Sequence, residues 1–218
     1  MVKTGDIEMK NISLAFFLIL FTIISCEGVS VNKSISIDDG ETVNNDLTSV
    51  NGNIDIGENC NIRGDCSTVN GKIQIGRNSK VADVQSVNGS ILLSENVSVN
   101  DDVNSVNGSI DCKRGVKIRG EINTVNGNVE LFNSEIGQDI TSINGNVKLM
   151  QNSIVGGNIR IKGKDRSSSK HRTVKIHLLD NSVVEGDIIG VQGVYVEVFV
   201  ENGSEVKGRV IDAEIMDE

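Results

Sequence analysis

The side chains that could do chemistry in this chain are few and mostly scattered. Four cysteines stand at 26, 60, 66 and 112, and two histidines at 171 and 177. Neither histidine has a cysteine or a pair of carboxylates near it in sequence, so no metal-ligand spacing is present. Asp38-Asp39 and Asp101-Asp102 are isolated acidic pairs. Polysaccharide cleavage needs clustered carboxylates and is usually helped by aromatic sugar platforms; these pairs read as solvated turns. Calcium-binding GGxGxD repeats, nucleophile elbows and phosphate loops are absent. No catalytic residue, metal or cofactor is expected. The densest feature is a basic run carrying Lys162, Lys164, Arg166, Lys170 and Arg172 against one acid, Asp165. It is a candidate contact loop for anionic lipid heads, lipopolysaccharide phosphates or an acidic partner. A solvated insertion is the plainer reading.

Cys26 belongs to a different pattern. Lys10 precedes an apolar run from Ile12 to Ile24, 13 residues long. A bilayer span takes about 20 residues, so the run fits the apolar core of a secretion signal. It ends in Ile23-Ile24-Ser25-Cys26, which resembles the bacterial lipobox. That resemblance implies cleavage before Cys26, lipidation of its thiol and a mature chain held on the envelope membrane. Residues 1–25 are then the signal peptide and 26–30 a short anchor linker. Glu27, in place of an aspartate, points to the outer membrane in a Gram-negative cell.

The largest signal is a repeat. Ser/Thr-Val/Ile-Asn-Gly recurs six times, at Asn51-Gly52, Asn70-Gly71, Asn88-Gly89, Asn107-Gly108, Asn126-Gly127 and Asn144-Gly145. The spacings are 19, 18, 19, 19 and 18, and a degenerate copy at Asn32 lies 19 residues before the first. After each Asn the third and fifth residues are apolar, as in Ile54 and Ile56, Ile73 and Ile75, or Ile110 and Cys112. Period-2 alternation puts both on one face of a strand. Two further short apolar stretches follow in each unit, separated by polar or glycine turns. None is long enough for a helix. One such unit cannot bury its own apolar face, but a stack of them can.

The expected fold is all-β: a single-stranded parallel β-helix of roughly eight or nine three-sided coils, wound right-handed, about 40 Å long at the usual strand spacing. Regular repeats cover 31–160. Atypical coils cover 161–218, with the basic run inserted into one of them and the acidic tail, Ile211 to Glu218, over the end. The composition agrees: 23 glycines, no proline, no tryptophan and 3% aromatics. Narrow coils are filled by small aliphatics. The Asn-Gly pairs are expected at corners, because both residues tolerate left-handed backbone, with the asparagines stacked in a hydrogen-bonded row. Cys112 replaces an aliphatic and reads as a buried thiol. Cys60 and Cys66 share a coil and could pair under oxidising conditions. Net charge is −9 over the whole chain, which argues against nucleic-acid binding.

The Ser-Val-Asn-Gly-x-Ile-x-Ile unit resembles that of DUF4097-type adhesin-like envelope proteins. The coil length and endings such as Val184-Glu185-Gly186-Asp187-Ile188 resemble bactofilins, whose β-helices polymerise into cytoskeletal filaments. The first likeness implies a non-catalytic envelope module touching polysaccharide or protein. The second implies self-association end to end. Bactofilins normally lack a secretion signal, and the leader before Cys26 departs from that pattern.

Overall fold

A computed structural model describes residues 29–163 and 172–216. The described chain contains strands and turns and no helix. Its 29 strands form three parallel sheets of ten, ten and nine strands, so the chain winds through about nine coils of a β-solenoid. In a typical coil Leu47–Ser49 belongs to the first sheet, Ile54–Ile56 to the second and Asn61–Ile62 to the third.

The register is the sequence period made physical. Ile54 pairs with Ile73, Ile73 with Ile91, and Ile91 with Ile110. Like residues therefore stack on like, and each inward aliphatic rests on its counterpart one coil away. Ile73, Ile75, Val81 and Val84 from one coil are fully buried, as are Ile110, Cys112, Val116 and Ile122 from others. The core is one continuous column from Leu47 to Val198. Cys60, Cys66 and Cys112 lie in this column as free, buried thiols. Burial in apolar surroundings pushes the Cys66 thiol up to about 12, with Asp65 adding to it, so it stays protonated and inert.

The insertion shows as a jump in register. Val147 pairs with Ile176, 29 positions on, and Ile176 with Val198, 22 on. The second sheet lengthens there to Arg172–Leu178 and Val194–Val200, seven residues each against three in the regular coils. Arg172, expected in the contact loop, is the first residue of one of these strands. Part of the acidic tail extends the stack rather than lying across it. Val210–Ile211 pairs with Ile188–Ile189, and Glu214–Ile215 with Glu197–Val198.

Candidate functional site

Each coil has three corners, and each corner stacks into a row of side chains running along the solenoid. The Asn-Gly corner is the first. Asn51 donates its amide to the side-chain oxygen of Asn32, and the pattern continues through Asn70, Asn88, Asn107, Asn126 and Asn144 at 2.6–2.8 Å. The ladder ends on a cation. Arg172 Nη1 donates to Asn144 Oδ1 at 2.5 Å, while Nη2 donates to the Lys162 carbonyl at 3.2 Å. Arg172 thus closes the row where the next asparagine is missing.

The glycines of this corner serve close approach. No residue of the six Asn-Gly pairs has positive φ, contrary to the expectation of left-handed backbone. Instead, a Cβ on Gly71, Gly89, Gly108, Gly127 or Gly145 would overlap the carbonyl oxygen of the glycine one coil earlier. The small hydroxyl residue of the motif has a role as well. Thr68 Oγ1 donates to the Gly52 carbonyl at 3.0 Å and Ser105 Oγ to the Gly108 carbonyl at 2.7 Å, so buried hydroxyls satisfy the corner carbonyls from inside.

Left-handed backbone recurs instead at the second corner. Gly40, Asn59, Asn78, Asn96, Gly115, Asn133, Asn152, Asn181 and Gly203 all have φ between 46° and 78° and follow the second-sheet strands. Asn and Gly exchange freely at this position, as expected where φ alone is the requirement. Beside it runs an inward row in which Ser79 Oγ accepts from the Cys60 amide at 2.9 Å and donates to the Gly57 carbonyl, also at 2.9 Å.

The third corner carries acids. Asp46 Oδ1 accepts from the Asp65 amide, Asp102 Oδ1 from the Glu121 amide and Asp139 Oδ1 from the Asn158 amide, at 2.7–2.9 Å. Asp83 sits inside this column. Burial, then the charges of Asp65, Asp102 and Asp101, push its carboxyl up to about 7, although Gln85 beside it favours the charged form. Asp83 Oδ1 and Gln85 Oε1 are buried and unpaired. No group of three or more His, Cys, Asp or Glu among the described residues is arranged to hold a metal ion. Asp139 differs. Burial raises it, but the Asn158 amide and Arg160, whose Nε lies 2.7 Å from Asp139 Oδ2, outweigh that and lower it.

Two rings meet outside the second sheet of the last coils. His177 and Phe199 stack face to face with centroids 4.4 Å apart, following the register that pairs them. Burial holds His177 below its usual value. Of the expected contact residues, Lys162 is half-buried at the foot of the insertion and Arg172 is engaged in the ladder cap. Lys164, Arg166, Lys170 and the proposed anchor Cys26 lie outside the described residues. The sequence reading passed over Arg172 as a cap and Asp83 as a perturbed acid. Asp83 was readable in principle, because the period stacks it between Asp65 and Asp102, whereas the insertion breaks the period between Asn144 and Arg172.

The β-helical repeat architecture is present as the sequence implied. No protein-family model, curated protein or solved structure matches the chain, so neither the bactofilin nor the DUF4097-type likeness gains a family assignment.

Proposed function

We propose that this protein is a non-catalytic envelope module, in which lipid at Cys26 tethers a stiff solenoid whose side faces meet other envelope components. The observation that carries this reading is the use to which the repeated polar side chains are put. The asparagines of the first corner bond one another, the hydroxyls bond corner carbonyls, and several third-corner carboxylates bond backbone amides of the next coil. Such a column is a rod with broad faces, suited to display and spacing. The chain reaches its first strand, Val29–Ser30, three residues after Cys26, so a lipid there would hold the rod within about 10 Å of the membrane surface. The test is palmitate labelling with membrane fractionation of wild type and Cys26→Ala. Labelled, membrane-bound wild type and unlabelled, released variant are expected. A soluble, unlabelled wild type would refute the anchor.

A second reading is assembly end to end, favoured by the state of the two ends. The outermost strands at one end are Val29–Ser30, Ile35–Ile37 and Thr42–Val43. At the other they are Glu205–Val206, Val210–Ile211 and Glu214–Ile215. Among the described residues each leaves an unpaired strand edge, and Val31 and Ile215 are exposed beside them. Sedimentation of the detergent-solubilised Cys26→Ala protein distinguishes the readings. Concentration-dependent filaments support this second one, and a monomer at all concentrations removes it.

A further inference from the structure

Acids outnumber bases on this chain, 30 to 21, yet one hollow among the described residues has an excess of cations. The hollow beside Tyr195 is lined by Glu197, Asp212 and Glu214 with no cation. On the third sheet, a hollow of ≈ 420 Å³ is lined by Lys80, Lys117 and Arg119, with Glu135 as its single carboxylate. Three cations against one acid leave it at +2 in a chain of net charge −9.

The stacking explains why the hollow exists. Register places Ser98 between Lys80 and Lys117 in the outward row, and Lys117 beside Glu135. Serine is the short member of that row, so a notch opens between two lysines whose Cα atoms stand two coils, about 10 Å, apart. Two residues further along the chain, Asn100 and Arg119 line its other side. The inward-pointing Val99 and Ile118 leave backbone at its floor. Lys117 is bound to Glu135 at 3.0 Å, with both side chains more than half exposed. Lys80 and Arg119 have no ion-pair partner among the described residues. Asp101 and Asp102, next in the chain after Asn100, act on Asp83 in the acidic column.

We infer that this hollow is a binding site for a phosphate group. The ammonium groups of Lys80 and Lys117 with the Ser98 hydroxyl line one side, and the Arg119 guanidinium with the Asn100 amide lines the other. That distribution of donors fits a tetrahedral dianion whose oxygens point in several directions, whereas a planar carboxylate would use one edge of it. The site stands on paired strands and depends neither on the insertion at 164–171 nor on lipidation of Cys26.

Calorimetric titration of the full-length Cys26→Ala chain with inorganic phosphate tests it, free of any acyl chain. Saturable binding is expected, weakened about tenfold by Arg119→Gln or Lys117→Gln, a loss of about 1.4 kcal/mol. Glu135→Gln, which releases Lys117, should tighten it, and Lys148→Gln on the second sheet should leave it unchanged. Unaltered thermal melting shows that the variants remain folded. Vesicles of phosphatidylcholine with and without phosphatidic acid identify the source. Binding that needs both phosphatidic acid and Arg119 assigns a lipid headgroup; phosphate binding without vesicle binding assigns a soluble phosphorylated ligand. Absence of saturable phosphate binding, or equal loss in Lys148→Gln and Arg119→Gln, would overturn the site.

Discussion

Glycine can be required by its backbone angle or by what stands over its α-carbon, and this solenoid uses the two reasons at different corners. Gly108 has an ordinary φ, and its missing side chain makes room for the Gly89 carbonyl. Gly40 has φ +78° and nothing within 4 Å of an added Cβ. Chemical denaturation should separate the two causes. Gly108→Ala is expected to cost about 2 kcal/mol or more, because neighbouring coils must part. Gly40→Ala should cost about 1 kcal/mol, the penalty of left-handed backbone. Equal costs would remove the distinction. Asp83 offers a second test at this scale. Its raised value means that the folded chain holds the proton longer than the unfolded chain, so stability falls as pH rises from about 4 towards 7. His177, lowered by burial, acts in the opposite sense below pH 6.5. The difference between wild type and Asp83→Asn isolates the carboxyl. The variant should melt several degrees higher at about pH 8, and the gap should close at about pH 4. A pH-independent gap would show that Asp83 titrates normally.

Strands here have no stability of their own; each is two to seven residues long and is held by the strands above and below it. A defect in the middle should therefore damage two interfaces, and one at an end only one. Ile110 is fully buried between Ile91 and Val129, whereas Ile35 is half-buried and, among the described residues, pairs with Ile54 alone. Ile110→Asp places an unpaired carboxylate in the dry column at a cost of several kcal/mol and should abolish cooperative melting. Ile35→Asp should lower the transition modestly, through loss of the terminal coil. Matching effects by circular dichroism would argue against neighbour-limited coupling. The elements are also where sequence reading succeeded and stopped. Period 2 within a unit and period 18 or 19 between units identify the inward positions, because the same geometry repeats at every coil. The insertion interrupts that phase, so Arg172 looks like one more charge in a basic run. Its place at the end of the asparagine row appears only after 29 residues of register are restored. The left-handed corner was missed for a related reason. Asn and Gly alternate there, so no fixed dipeptide marks it.

The described chain is a column with two unlike ends and three faces of different chemistry. One face is acidic at its edge, one gathers the aromatics, and one holds the cationic hollow. That hollow draws its walls from residues 80, 98, 117 and 119, none of which forms a local motif. It was invisible to a search for spaced chemistry along the chain and becomes visible once the coils are stacked. Lipid anchoring and end-to-end assembly both belong to this scale, since each concerns what lies beyond a terminal coil.

The asparagine ladder bears on how this protein ages. Asparagine followed by glycine is the dipeptide most prone to lose ammonia, because the glycine nitrogen can reach back to the side-chain carbonyl and close a cyclic imide. Seven such dipeptides occur here. Six have their amides held by hydrogen bonds to asparagines of the neighbouring coils, which restrains the rotation that ring closure needs. The seventh, Asn202-Gly203, rests on a single 3.3 Å bond to Asp180 in an exposed turn, so chemical wear should begin at the far tip of the rod and spare its shaft.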